Sequence, residues 1–320
     1  MNAIPEEIIE FNAHLPGERL DKTIVAHVGE RLSRAQIQAL IEDGSVTIND
    51  APAKPGWRLK GGEVIRMVLP PAEARQEALA AEAIPLDVLY SDEHIAVINK
   101  PAGLVVHPGS GNPGGTLVNA LMARFPEIGE MDYAPQRRGI VHRLDKDTSG
   151  VIVVARNAIA LRRLLRQFQD RSVEKVYLAL LERPPRTDTG RIDVPIERDP
   201  VNRRKMRVDR AGRHAISEFY VTERFNDGLT LVRVNLLTGR THQIRVHMAF
   251  IGCPIVGDAL YGFRRQRLPL RRQFLHAWRL CIDHPATGER LCFEAPLAPE
   301  LQRILDTLRR EAGAGGDTSI

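Results

Sequence analysis

The sequence predicts an α+β protein in two parts, a small helix–helix–hairpin module followed by a larger domain of strands with a few helices. Three observations carry this reading. The chain has 320 residues, more than one compact domain usually holds. Apolar residues near the start recur at helical spacing, whereas later ones gather in strand-like runs. Those later runs are not separated by regularly spaced helices, which argues for α+β rather than a βαβ repeat.

The first module is expected over residues 16–75. Leu20, Ile24, Val25 and Val28 have helical spacing. Ser33 is expected to open a second helix, because Ser33-Arg34-Ala35-Gln36 has the form of a capping box. Ile37, Leu40 and Ile41 form its apolar stripe, and Gly44 can end it with a positive φ. Val46 and Ile48 alternate as in a strand, Asn49-Asp50 supplies turn chemistry, and Val64, Ile65, Met67 and Leu69 suggest a closing strand. Arg31, Arg34, Lys54, Arg58 and Lys60 can lie outside this small core. Residues 71–84 are rich in Ala and Glu and poor in large apolar side chains, which reads as a partly helical linker.

The second domain is expected over residues 85–310. Ile95–Asn99, Val151–Ala155, Val176–Leu180 and Thr230–Leu236 read as strands. Asn157 can cap a helix with the stripe Leu161, Leu164, Leu165 and Phe168, and its other face presents Arg162, Arg163 and Arg166. Residues 311–320 are Gly-rich and polar and read as a disordered tail.

Composition narrows the function classes. Hydrophobic residues make up 43% of the chain, enough for a substantial core, and 27% are charged. No apolar run approaches the roughly 18 residues needed to span a bilayer, and the N-terminus lacks a basic start and apolar stretch. A soluble, cytoplasmic protein without membrane partners is expected. Cys253, Cys281 and Cys292 are scattered and lack CxxC spacing, so neither a disulfide framework nor a zinc site is expected. The net charge of +5 says less than its distribution. Asn202–Arg213 holds Arg203, Arg204, Lys205, Arg207, Arg210 and Arg213 against one acid, and Arg264–Arg272 holds five arginines with none. Such clusters can neutralise phosphates, although solvated loops have the same composition.

Three runs carry the candidate chemistry. His142-Arg143-Leu144-Asp145-Lys146-Asp147-Thr148-Ser149-Gly150 leads straight into the strand Val151–Ala155, so carboxylates and cations sit on a loop tied to rigid scaffold. In Thr238-Gly239-Arg240-Thr241-His242-Gln243-Ile244-Arg245, Gly239 marks a turn and Thr241 can cap a helix. Ile244, His247, Met248 and Ile251 form the stripe of that helix, with Arg245 beside it, able to point into a cleft from a fixed backbone. In Glu174–Leu180, period-two alternation puts Tyr177 on one face with Lys175 and Ala179. By default a strand tyrosine is a core aromatic whose hydroxyl needs a partner.

Two resemblances follow from these residues. Arg19-Leu20-Asp21, Ser33-Arg34-Ala35, Leu40-Ile41 with Gly44, and Val46-Thr47-Ile48-Asn49 resemble the S4 RNA-binding domain. The three runs, with Asn99–Pro108, Gly257-Asp258-Ala259-Leu260-Tyr261-Gly262 and Leu275-His276-Ala277, resemble the RluA-type pseudouridine synthases in the family's order over about Leu86 to Pro299. With the S4-like module in front, the likeness is greatest to the RluD-like subgroup, whose substrate is 23S rRNA. The resemblance implies a mixed, mainly antiparallel sheet in the catalytic domain. It also implies Asp145 as nucleophile, Tyr177 as the active-site tyrosine and Arg245 as the cation paired with the carboxylate.

The implied reaction breaks the glycosidic bond of a uridine, turns the uracil and forms a C–C bond, a task akin to that of a retaining glycosidase. The uridine must be flipped from its stack, and Arg143 could fill the vacated space. Arg143, Arg240, Arg34, Arg203 and Arg204 are the candidate RNA-binding residues. The family chemistry needs neither metal nor organic cofactor. The expected partner is RNA, 23S rRNA or a large-subunit precursor, bound by a monomer. One alternative is an RNA-binding ribosome-assembly factor with a non-catalytic role. Another is a metal-dependent nuclease built on His142, Asp145, Asp147, His242 and His247, disfavoured because no HxH or HExxH element is present and nearby cations would repel the metal.

Overall fold

The computed structural model describes residues 7–29, 32, 34–54, 56–69, 80–109, 112–131 and 138–314. The chain divides into two compact units, residues 1–84 with 107–138, and residues 85–106 with 139–320.

The first unit holds the expected module. Helices α1 (Leu20–Val28) and α2 (Arg34–Glu42) pack with strands β1 (Glu7–Asn12), β2 (Val46–Ile48), β3 (Ala51–Pro52) and β4 (Val64–Leu69). Leu20, Ile24, Val28, Ile37, Leu40, Ile41, Val46, Ile48, Ile65, Met67 and Leu69 share one core, as the periodicity predicts. Gly44 takes φ +88° just past the second helix. Asn49 and Asp50 both adopt positive φ and close a tight hairpin between β2 and β3. The strand β1 is an addition to the expectation. It pairs antiparallel with β4 and gives the sheet order β1-β4-β2-β3. The anticipated capping box at Ser33 and most of the 71–84 linker lie outside the described residues.

This unit also holds a short helix, α3 (Leu117–Arg124), which the sequence reading left unassigned. Thr116 and Asn119 form its capping box, and Asn119 Nδ2 donates to the Ala80 carbonyl at 2.7 Å.

The second unit is built on a nine-stranded sheet. Its strands are β5 (Asp87–Ser91), β6 (Ile95–Lys100), β7 (Ser149–Ala155), β8 (Glu174–Leu181), β9 (Thr189–Asp193), β12 (Ile216–Arg224), β13 (Thr230–Leu236), β14 (Leu275–Asp283) and β15 (Arg290–Glu294). A separate hairpin joins β10 (Ile196–Arg198) and β11 (Met206–Val208). The sheet order is β5-β6-β7-β14-β8-β13-β12-β9, with β15 beside β14. Every described pair is antiparallel except β7 with β14, so the sheet is mixed and mainly antiparallel.

That one parallel junction is very close. Gly150 sits at φ +116°, and a Cβ there would overlap the Ala277 carbonyl. Glycine therefore lets β7 reach β14 directly behind the Arg143–Thr148 loop.

Helix α4 (Ala158–Asp170) starts at Asn157, whose side chain accepts the Ala160 N–H as expected. Its residues Leu161 and Leu164 pack on Val151 and Val153 of β7. Two further helices, α5 (Gln243–Phe250) and α6 (Pro299–Ala314), complete the unit. The last helix runs past Glu311, where the sequence reading began the tail, and only residues 315–320 fall outside the described residues.

The cysteine expectation is corrected. Cys281 and Cys292 stand directly opposite each other on β14 and β15, with Cα atoms 4.1 Å apart, and are joined in a disulfide. Eleven residues of separation conceal a hairpin that brings them together. Cys253 is free and buried.

Candidate active site

Asp145 sits on the loop between Val141 and Thr148, and that loop is held from several sides. The His142 ring stacks on Phe168 at 4.7 Å, and its Nε2 accepts the Val153 N–H at 3.0 Å. Burial, with the charge of Lys175, pushes the His142 imidazole down to about 3, which matches its role as a neutral acceptor. Lys100 is fully buried beneath the loop and donates to the carbonyls of Pro101, Leu104 and Lys146 at 2.8, 2.9 and 3.0 Å. The Gly103 N–H also reaches the Lys146 carbonyl. Arg272 Nη1 donates to the Asp147 carbonyl at 3.0 Å, and Gln273 donates to the Thr148 hydroxyl at 3.1 Å. A polar loop of this kind is normally mobile; here its backbone acceptors are occupied by rigid neighbours.

The opposite wall comes from residues 238–245. Gln243 is buried and organises the turn: its Oε1 accepts from Thr238 and from the Arg240 N–H, while its Nε2 donates to the Ile216 carbonyl and the Ser217 hydroxyl. Thr241 does not cap the helix, contrary to the sequence expectation. The N-cap position is His242, at φ +55° and without a side-chain capping bond, and Gln243 satisfies the turn instead.

Arg245 then projects from the first turn of α5 with only 6% of its surface exposed. Its Nε and Nη2 bind the two oxygens of Asp258 at 2.7 and 2.9 Å, and its Nη1 reaches Asp145 Oδ2 at 3.1 Å. Burial pulls the guanidinium pKa down, but the bond and charge of Asp258, with the charge of Asp145, outweigh it, so Arg245 stays charged. Asp258 is itself fixed by the N–H groups of Leu260 and Tyr261.

His242 and Tyr261 close the far side. Tyr261 Oη accepts the Met206 N–H at 2.7 Å and lies 2.8 Å from His242 Nδ1. Burial lowers the His242 pKa against the pull of Asp145. Among the described residues the acceptor for the Tyr261 proton is His242 Nδ1, which leaves the neutral ring protonated at Nε2. That nitrogen lies 3.9 Å from Asp145 Oδ2. Tyr177, on the central strand β8, is 7% exposed and faces the same cavity. Burial, then the charge of Asp145, raises its pKa, so the phenol keeps its proton.

The resulting cavity has a volume of about 470 Å³. It brings together Asp145, Tyr177, Arg245, Arg143 and Arg240, five residues singled out from sequence. Arg240 also donates from Nε to the His214 carbonyl. Arg203 and Arg204 stand exposed in the turn between β10 and β11 and do not line the cavity. The Arg34 side chain lies outside the described residues. Of the two basic clusters, several members are already paired: Arg207 with Glu197 and Asp209, Arg267 with Asp227, and Arg272 with Glu300. Sequence reasoning gave no role to Lys100, Asp258, Tyr261 or Gln243. Lys100 did carry a signal, a cation closing an apolar strand immediately before Pro101.

Among the described residues no group of three or more His, Cys, Asp or Glu side chains is arranged to hold a metal ion. His142 and His242 are committed as above, and His247 is buried against Ser217 and the Val194 carbonyl. No helix among the described residues is long and apolar enough to cross a membrane.

The mixed sheet presents one carboxylate, ion-paired to Arg245, in a cavity rimmed by arginines, an arrangement suited to a polyanionic ligand. The chain matches the RNA pseudouridylate synthase family over residues 94–250 and the S4 domain over residues 18–65. It is 42% identical to the protein of Pseudomonas aeruginosa named Ribosomal large subunit pseudouridine synthase D, across 98% of this chain and 99% of that one. It is 48% identical to a protein of Chloroflexus aurantiacus named Uncharacterized RNA pseudouridine synthase, across 96% of this chain and 95% of that one. Among solved structures, Human RNA Pseudouridylate Synthase Domain Containing 1 superposes with a TM-score of 0.55 at 28% identity, covering 72% of this chain and 96% of the human one. The chain belongs to the RNA pseudouridine synthase family and is an isomerase of uridine in RNA.

Proposed function

We propose that the protein isomerises specific uridines of 23S rRNA, or of a large-subunit precursor, with Asp145 as the nucleophile. One observation carries the reading: the Asp145 carboxylate lines the cavity with its Oδ2 held by Arg245. A carboxylate held in this way is set to meet the sugar of an everted nucleotide and to stabilise or capture the cation that forms as the glycosidic bond breaks. Tyr177 packs against the flipped uracil, and its retained proton suits it to bond the base rather than to act as an anion. Arg143 fills the gap left in the RNA stack at a cost of a few kcal/mol for flipping. Arg240, Arg34, Arg203 and Arg204 grip phosphates.

In this reading residues 16–75 are the RNA-binding module and residues 85–310 the catalytic domain, acting as a monomer in the cytoplasm. The near full-length likeness to the Pseudomonas protein supports the choice of large-subunit RNA. The test is Asp145→Asn. Pseudouridine mapping by chemical labelling of rRNA from cells carrying only this variant is expected to lose the wild-type sites, while RNA affinity stays within about twofold. Full modification by the Asn variant would overturn the assignment of Asp145.

A further inference from the structure

We infer that Lys175 and Arg171 form a phosphate subsite in the wall of the cavity, holding the RNA backbone one step from the everted uridine. The inference rests on the functional reading above and specifies where the backbone of that substrate lies.

Both side chains line the cavity that contains Asp145. Lys175 lies two residues before Tyr177 on β8, on the same strand face, so the two Cα atoms are about 7 Å apart. If Tyr177 meets the base, the Lys175 ammonium falls beside the backbone of the neighbouring position. Arg171 comes from the other direction, as the left-handed residue at φ +61° that ends α4. The helix end and the strand start thus deliver two cations to one patch.

The patch has no internal counter-charge. Neither Lys175 nor Arg171 has an ion-pair partner among the described residues. Lys175 is half-buried, with its Nζ 5.8 Å above the Phe168 ring. Burial and the charge of Arg171 push its pKa down to about 8. His142, the nearest imidazole, is neutral and already bonded to the Val153 N–H, so it supplies no compensation. Lys175 loses part of its hydration beside the exposed Arg171 and gains no anion in return, and a non-bridging phosphate oxygen would supply one to both. Cation–π packing on Phe168 holds the Lys175 ammonium at the cavity wall, and the exposed Arg171 guanidinium at the end of α4 stands free to meet the same phosphate.

The experiment uses the full-length chain and a 23S rRNA transcript, with turnover followed by tritium release. Lys175→Met keeps the alkyl stem over Phe168 and removes the charge, and Lys175→Arg keeps the charge. The Met variant is expected to raise KM about tenfold at 0.1 M salt with kcat within about twofold. It should also flatten the log–log salt dependence of binding by about 0.7–0.9, the share of one neutralised phosphate. The Arg variant should restore both.

Phosphate-ethylation interference on the same transcript should show a block at a phosphate adjoining the modified uridine for wild type. That block should be missing for the Met variant. Unchanged KM and salt slope, an identical interference pattern, or a loss confined to kcat would each overturn the subsite. If wild-type enzyme binds the transcript without turnover, the functional reading fails instead, while the interference patterns still decide the subsite.

Discussion

Asp258 grips Arg245 through both carboxylate oxygens, at 2.7 and 2.9 Å, and leaves the remaining guanidinium nitrogen to Asp145. The fork is spent on a residue that faces away from the cavity. Arg245 is therefore not a free cation that happens to meet Asp145; its direction is set from behind. Asp258→Asn would leave a buried guanidinium with a weakened partner. Breaking a buried pair in this way costs about 3–5 kcal/mol, and chemical denaturation should show a loss on that scale. Activity should fall further than Tm alone explains, because Arg245 would then turn its full fork on Asp145. Wild-type stability in the Asn variant would show that the pair contributes little.

Lys100 acts on the same loop through the backbone. Three carbonyls meet its three ammonium protons, yet burial pushes its pKa down to about 7. An unfolded lysine titrates near 10.4. Between those values the unfolded state binds more protons than the folded one, so stability should rise with pH from about 7 to about 10. Lys100→Met should abolish that rise relative to wild type. It should also reduce turnover by about a hundredfold, the scale of a small misplacement of a catalytic group. Parallel stability–pH curves for the two proteins would rule out the titration.

The N-terminal module offers a test of the proposed domain division. Its core is self-contained, and Lys54, Arg58 and Lys60 are exposed on it. Arg19 is not part of that surface supply, because it is paired with the fully buried carboxylate of Asp21. A chain lacking residues 1–75 should bind RNA more weakly, with a salt slope lower by about 0.7–0.9 for each phosphate that the module neutralises. Binding measured from 50 to 200 mM salt reads both effects, and an unchanged slope would remove the module from RNA recognition.

Much of this was legible in the chain because it depends on local pattern. The helix stripe Leu161–Leu164, the cap at Asn157 and the strand Thr230–Leu236 fall where their periodicity put them. The runs around Asp145 and Arg245 were legible as polar stretches tied to scaffold, but the roles of Asp145, Tyr177 and Arg245 came from the family resemblance, Tyr177 by itself reading as a core aromatic, and the cavity gathers all three. What was hidden depends on long-range approach. Asp258 in Gly257-Asp258 reads as an ordinary turn until α5 delivers Arg245 to it. Cys281 and Cys292 become neighbours only through the β14–β15 register. Gln243 displaced Thr241 as the organiser of its turn because Ser217 and Ile216, from a distant strand, complete its bonds.

Glu182, at the end of β8, is 1% exposed, and neither carboxylate oxygen has a hydrogen-bond partner among the described residues. Burial raises its pKa; Arg267 opposes this and Asp227 adds to it. The nearby Arg267 is diverted, since its Nη1 bonds the Glu182 carbonyl and its Nη2 pairs with Asp227. In the unfolded chain the carboxyl ionises near pH 4.3, while in the folded protein it holds its proton to higher pH. The folded state therefore binds more protons across that window, and stability must fall as pH rises through it, by at most about 1.4 kcal/mol per pH unit. Glu182→Met removes the group at similar volume. Its stability should match or exceed wild type at pH 8, and the difference should shrink as the pH is lowered toward 4.5. A difference that stayed constant with pH would mean the carboxyl group finds a partner on folding, and the buried, unpaired proton would be disproved.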